Sequence, residues 1–496
     1  MDQKPIDLYT VLGIDRAARP EEIEAAFAAW KARSGSSGPI DDEAWQRVRY
    51  AYEVLISPQR RKTYDSLVVE TAGPALELDI TMSAESIPLL DTPHILYALL
   101  TLRPRDDRPA ISGDPRPLNL GLVIDRSTSM RGERLEKVTA AVGLLLDKLG
   151  PGDRLSLVSF SDRAEVVLPA ATIDTAAASP DPETAAAWRD PRRRIEAIVA
   201  SGGTEIYQGL QAGLAQVARP AAKGHISHLI LLTDGHTYGD AADCLRLAEK
   251  AATHGVGITA FGLGADWNDA FLDALVASSG GQSHYIERPD DVLAHLESRL
   301  QGLGAIHARN LALAQSWPDS FTLRSAFKLA PSPQPLPSDS RPVPMGDLEG
   351  RSPMTVLLEF LVAPQSVAAR FRLPFEVRFT AANGIAQLAE RSARLVAGDV
   401  QAGDGQTPQA IIEAARWLNL YRMQDKAWEE AQLGKPDTAA ARMRKLTDRY
   451  METGDLRLAR QAQLEAQQLA QQGAMSPEGR KVLKYGTRSL MRSDKS

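Results

Sequence analysis

Apolar positions recur along the chain with more than one period, and the changes of period divide it. Across 5–67 the spacing is helical: Ile23, Ala26, Phe27 and Trp30 form one stripe entered through Pro20. Trp45, Val48, Ala51, Tyr52 and Leu55 form a second, which stops at Ser57-Pro58, and a short basic helix with Arg60, Arg61 and Lys62 follows. From 75 to 103 the period falls to two. Leu76, Leu78, Ile80 and Met82 alternate with Glu77, Asp79 and Thr81, which predicts a half-buried strand, and 94–102 predicts another. From 116 to 303 short apolar runs (118–125, 154–161, 228–233, 256–263) alternate with helical stretches (133–149, 192–200, 206–217, 241–254, 268–278). That alternation predicts a doubly wound, Rossmann-like α/β sheet.

The period of two then returns at 355–362 and at Phe371, Leu373, Phe375, Val377 and Phe379, with Pro374 marking an edge or bulge. Strands of one type on both flanks predict a single β-sandwich with the α/β unit inserted in it; two unrelated β extensions are the alternative. The Pro- and Ser-rich stretch 331–353 is expected to be an exposed loop. Helices predicted at 410–432, 437–450 and 456–472 end the chain, and the basic run 479–488 is expected to be a solvated tail, with a docking peptide as the alternative. The expected organisation is multidomain α/β plus β plus α: a helical module at 1–68, the sandwich at 75–103 plus 306–396, the α/β unit at 116–303 and a helical region at 405–496.

Candidate chemistry is concentrated where the first apolar run of the α/β unit ends. Asp125, Ser127 and Ser129 form D-x-S-x-S on a strand-to-helix turn, at the carboxyl end of a central strand where open α/β sheets bind ligands. All three present hard oxygens, the donor type that Mg²⁺ selects. Taken alone, the same residues could be an ordinary helix N-cap. Two distant segments add to them: a glycine-rich turn, Ser201-Gly202-Gly203-Thr204, and a second buried run ending Thr233-Asp234-Gly235. With these three loops the segment 116–303 resembles the von Willebrand factor A domain with its metal-ion-dependent adhesion site. The resemblance places the family's five site residues on Asp125, Ser127, Ser129, Thr204 and Asp234, without departure. It implies a bound Mg²⁺, with Mn²⁺ or Ca²⁺ possible. Hydroxyls and two carboxylates would leave at least one coordination position for an acidic side chain of a protein partner.

The N-terminal wording Asp7-Leu8-Tyr9-Thr10-Val11-Leu12-Gly13, Tyr50-Ala51-Tyr52-Glu53-Val54-Leu55 and Arg61-Lys62-Thr63-Tyr64-Asp65 resembles a J-domain, the module that engages DnaK-type chaperones. It departs from that family where activity resides. The loop reads Arg33-Ser34-Gly35-Ser36-Ser37-Gly38-Pro39 in place of a His-Pro-Asp tripeptide, and the first histidine of the chain is His94. The resemblance therefore implies a J-like docking module without ATPase stimulation, with a purely structural role as the alternative. The C-terminal helices resemble a single tetratricopeptide-like hairpin.

Composition narrows the function. A length of 496 residues calls for two to four domains, and 44% apolar with 24% charged residues is globular. A net charge of −6 argues against general nucleic-acid binding. Cys244 is the single cysteine, which leaves no disulfide framework, and a buried position on a helix suits it. No apolar run approaches the roughly 18–20 residues of a membrane span, and the start Met1-Asp2-Gln3-Lys4-Pro5 lacks a signal-peptide layout, so a cytoplasmic location is expected.

Catalysis is weakly signalled. A haloacid-dehalogenase-like phosphatase would carry a second carboxylate where Ser127 stands, and Gly202-Gly203-Thr204 lacks the ending of a P-loop. A hydrolase would have to rely on His236 or Asp234. The reading is a non-catalytic, metal-dependent protein-binding scaffold, similar in layout to soluble bacterial von Willebrand factor A proteins. The alternative is a chaperone adaptor acting through the J-like module.

Overall fold

A computed structural model of the chain describes residues 8–14, 18–34, 42–61, 63–64, 74–105, 117–218, 225–235, 239–350, 352–381, 385–398 and 406–493. At the N-terminus, helices Leu8–Leu12, Pro20–Ser34 and Asp42–Leu55 enclose a small core of Tyr9, Ile23, Val48, Ala51 and Leu55. Phe27 stacks on Tyr52 with ring centroids 4.1 Å apart, which joins the second helix to the third. Residues 35–41, where a J-domain carries its tripeptide, lie outside the described residues.

Strands β1 (Leu76–Met82), β2 (Ser86–Pro88) and β3 (His94–Pro104) come next. The α/β unit then contributes β4 (Leu118–Asp125), β5 (Arg154–Phe160), β6 (Ala164–Thr172), β7 (Ile226–Thr233), β8 (Gly257–Leu263) and β9 (Gln282–Ile286). They form one sheet in the order β6-β5-β4-β7-β8-β9, parallel except for the β5–β6 pair. Every residue of β4 is buried, because apolar clusters cover both faces of the sheet. On one face Leu122 and Ile124 pack with Val138 and Leu145 of helix Glu133–Leu145. On the other, Val123 packs with Leu210 and Val217 of helix Ile206–Val217.

After the α/β unit come β10 (Ile306–Leu313), β11 (Phe321–Ala330), β12 (Gln334–Leu336), β13 (Val343–Glu349), β14 (Met354–Val362), β15 (Ala369–Ala381) and β16 (Ala386–Gly398). Two five-stranded sheets result, β1-β3-β14-β11-β12 and β13-β10-β15-β16-β2. Each combines strands from before and after the α/β unit, and one apolar cluster, with Leu100, Phe360, Leu373 and Phe375 at its centre, draws on both.

The structure corrects several sequence expectations. The stretch 331–353 is not an exposed loop: it carries β12 and β13, and Leu336, Val343, Met345 and Leu348 are buried in the sheet core. Prolines and serines fill its intervening positions while the inward side chains remain apolar. β16 went unforeseen because Ala386–Gly398 is rich in helix formers; twelve register pairs with β15 override that preference. Between β6 and the helical stretch from 192 lies a helix that the periodicity does not mark, Pro182–Trp188, whose N-cap Asp181 accepts from the Thr184 amide and whose first position is a proline.

The largest correction concerns the basic C-terminal run. It is helix Pro477–Ser493, and Lys481, Lys484, Thr487 and Arg488 on it are buried. It joins helices Gln409–Gln432, Pro436–Glu452 and Leu456–Gln472 and packs against the α/β unit. Among the described residues no helix is long and apolar enough to cross a membrane.

Candidate metal centre

β4 ends in Asp125 with its side chain enclosed, and the chain then turns through Arg126–Ser129 into a short 3-10 turn, Thr128–Met130. Met130 is fully buried and pins the turn to the sheet. Asp125 Oδ1 accepts from the Ser127 amide at 2.7 Å, an Asx-type bond that folds the loop back on its own carboxylate. Asp125 Oδ2 accepts from Thr233 Oγ1 at 2.6 Å, so the end of β7 is tied to the end of β4.

The three loops meet directly. Ser127 Oγ and Ser129 Oγ are 3.0 Å apart, and Ser129 Oγ donates to Asp234 Oδ1 at 2.7 Å. Asp234 Oδ2 accepts from Arg134 Nη1 at 2.5 Å. The second loop is held by backbone: Thr128 N and Oγ1 both donate to Gly202 O, at 3.1 and 2.9 Å, and Ser201 N donates to Arg126 O at 2.7 Å. Gly202 takes φ +77°, and a side chain there would also collide with Asp162, whose carboxylate accepts from Gly203 N at 2.8 Å. This turn delivers Thr204, buried, beside the third loop. A Cβ on Gly235 would lie 3.1 Å from Thr204 Oγ1, so the glycine leaves the space next to that hydroxyl clear.

Asp125, Ser127, Ser129 and Asp234 therefore form one hydrogen-bonded group, with Thr204 against Gly235 at its edge. The group is unevenly exposed: Asp125, Ser127, Thr204 and Asp234 are buried and Ser129 faces solvent. Burial raises the Asp125 carboxyl to about 6; the Ser127 and Thr233 hydrogen bonds oppose that rise and the nearby Asp234 charge adds to it. Two carboxylates enclosed together favour a cation between or beside them. Among the described residues no group of three or more His, Cys, Asp or Glu side chains is arranged to hold a metal, so a cation here would depend on hydroxyl oxygens as well.

Sequence reasoning missed two participants. Thr233 stands directly before Asp234, and the apolar pattern marks it only as the end of a buried run, although a hydroxyl at the tip of a strand beside a buried Asp is a signal. Arg134 lies in the first turn of its helix, where nothing in the spacing points to Asp234, 100 residues away. His236, considered as a catalyst, lies outside the described residues. Cys244 is buried on helix Ala241–Thr253, and burial lifts its thiol to about 12, well out of reactive range.

Comparison with known proteins agrees with this architecture. Residues 119–298 match the von Willebrand factor type A domain, and residues 409–493 match the Sll0103-like, C-terminal alpha-helical domain. The chain is 36% identical over 199 residues to the uncharacterized protein sll0103 of Synechocystis sp., a match covering 39% of this chain and 44% of that one. Over 80 residues it is 35% identical to chaperone protein dnaJ 39 of Arabidopsis thaliana, which covers 15% of this chain and 19% of the relative. The chain thus spans less than half the length of these relatives. A solved structure, von Willebrand factor type A from Catenulispora acidiphila, superimposes with a TM-score of 0.61 over 78% of this chain and 89% of the other, at 19% identity. At that identity the likeness concerns the fold alone, but it extends well beyond the α/β unit. The chain carries a von Willebrand factor type A domain followed by a helical C-terminal module of the Sll0103 type.

Proposed function

We propose that this protein is a non-catalytic scaffold that grips an acidic side chain of a protein partner through a divalent cation held by Asp125, Ser127, Ser129, Thr204 and Asp234. The observation that carries the reading is the Ser127–Ser129–Asp234 chain of contacts at the end of β4. A serine hydroxyl that donates its proton to a carboxylate keeps its lone pairs for a cation. The donor set fits the ion: three hydroxyls and two carboxylates are all hard oxygens, and Gly235 clears the space beside Thr204 that a side chain would fill. Mg²⁺ suits this set best, with Mn²⁺ and Ca²⁺ as oxygen-seeking substitutes. When bound, the ion supplies an electrophilic position at which a partner carboxylate displaces water. The chain's own residues orient the donors and exclude solvent from beneath them.

The two five-stranded sheets support a further architectural reading: one β-sandwich assembled from both flanks, with the type A domain inserted between β3 and β10. The candidate cation loops lie at the carboxyl end of the central strands β4 and β7 of the α/β sheet. Crosslinking followed by mass spectrometry tests the function with the full chain, in Mg²⁺ and in chelator, beside Asp125→Ala. A set of bound proteins lost in both chelator and Asp125→Ala is expected; a bound set unchanged by either overturns the reading.

A second reading is favoured by the likeness to dnaJ 39. In it the helices of 8–64 dock a DnaK-type chaperone while the type A domain holds a client. Lacking His-Pro-Asp, the module would dock without stimulating ATP hydrolysis. Binding of a DnaK-type chaperone by the full chain, without ATPase stimulation and insensitive to chelator and to Asp125→Ala, would favour this adaptor over the cation-dependent latch.

A further inference from the structure

Arg134 sits in the first turn of helix Glu133–Leu145, and its Nη1 donates to Asp234 Oδ2 at 2.5 Å. The Asp234 side chain is fully buried, while that of Arg134 keeps 33% of its surface in solvent. Asp234 Oδ1 accepts from Ser129 Oγ at 2.7 Å. Both oxygens of the third-loop carboxylate are thus engaged by the chain itself, one by a hydroxyl and one by a permanent cation.

The guanidinium has a built seat. It lies over Gly264, just past β8, where a Cβ would come within 3.0 Å of Nη2 and 3.3 Å of Cζ. Gly264 has φ +68°, so glycine both makes the turn and clears the space. Arg126, at the start of the loop, is directed elsewhere: its Nη1 donates to Ser201 Oγ at 2.6 Å.

The two carboxylates of the site are consequently unequal. Asp125 is held by neutral donors alone, the Ser127 amide and the Thr233 hydroxyl, and keeps its whole negative charge for a cation. The charge of Asp234 is already balanced. We infer that Arg134 is a resident counter-cation that leaves the metal under-neutralised, so that the site holds a divalent ion weakly alone and more tightly together with a carboxylate guest. The inference rests on the metal reading above. With the charge of Asp234 balanced by Arg134, a divalent ion beside Asp125 leaves the site with about one net positive charge. An incoming carboxylate is drawn by that net charge, and metal and guest each strengthen the binding of the other.

Mn²⁺ titrations of the full chain, followed by loss of the free-ion electron paramagnetic resonance signal, test this in wild type, Arg134→Gln, Arg134→Met and Arg134→Lys. Removing a unit positive charge from beside a divalent ion is expected to tighten Mn²⁺ binding about tenfold or more in both neutral variants. Arg134→Lys is expected to stay near wild type. Acetate, as the probe carboxylate, is expected to tighten Mn²⁺ binding to wild type and by a smaller factor to Arg134→Gln. Two neutral variants of different shape guard against a folding defect in either one. Equal or weaker Mn²⁺ binding in the neutral variants overturns the role of Arg134 and leaves the metal reading standing. Absence of Mn²⁺ binding in wild type and variants alike overturns both.

Discussion

Ser129 Oγ donates to Asp234 Oδ1 at 2.7 Å, closing a contact between two loops that are 105 residues apart in the chain. The hydroxyl faces solvent and the carboxylate does not, so the bond marks where a buried acidic floor meets an accessible rim. Beneath it, Thr233 and the Ser127 amide fix Asp125 from two sides. The parallel pairing of β4 with β7 brings these loops to one end of the sheet, and the tight turn at Gly202 brings Thr204 to the same end.

Asp125→Ala is predicted to lower Mg²⁺ affinity by about a hundredfold or more, because it removes the site carboxylate that is held by neutral donors. Ser127→Ala, which removes one neutral donor, is predicted to cost about tenfold. Calorimetric titration of the folded variants checks the ranking; equal losses would contradict the greater weight given to the Asp125 charge than to a neutral donor.

Arg488 on the last helix donates from Nη1 and Nη2 to both oxygens of Asp273, at 3.1 and 2.7 Å, and Lys484 stands 2.7 Å from the same carboxylate. Burial alone would raise the Asp273 carboxyl, but the Arg488 and Lys484 charges hold it well below the usual range. A depressed carboxylate contributes stability that is complete above about pH 4 and is lost as pH falls through its lowered value. Arg488→Met is predicted to destabilise the chain by roughly 3 kcal/mol at neutral pH, since it strips a buried pair of one partner. Asp273→Asn is predicted to flatten the acid limb of the stability curve. Denaturant titrations from about pH 7 down to about pH 2 read both effects.

Helix Ile206–Val217 approaches the sheet through Gly209, where a Cβ would lie 2.6 Å from Phe160 Cδ1 and 3.0 Å from Val123 Cγ1. Gly209→Ala gains up to about 1 kcal/mol of helix propensity and meets an overpacking cost of about 1–3 kcal/mol. Net destabilisation is predicted, by thermal melting. Because Thr204 lies two residues before this helix, weaker Mg²⁺ binding is predicted with it.

The α/β unit was legible because its signals are redundant. A fully buried β4 reads as a continuous apolar run, and its end is marked by a polar loop. The sheets on either side were half legible: β1 and β15 alternate cleanly, but β16 carries a helical composition and β13 lies within Pro-rich sequence. In both, tertiary pairing decides the outcome, and a local window contains no trace of it. The basic run on the last helix misled for a related reason. Lys484 and Arg488 read as solvated charge until Asp269 and Asp273, over 200 residues away, are placed beneath them. The pairing of Arg134 with Asp234 was hidden in the same way.

Crystals grown with Mn²⁺ and measured at the manganese absorption edge test the central claim most directly. A single anomalous peak is predicted within bonding distance of Ser127 Oγ, Ser129 Oγ and Thr204 Oγ1, and it should be absent from Asp125→Ala. No peak at the end of β4, or a peak that persists in the variant, would contradict the account.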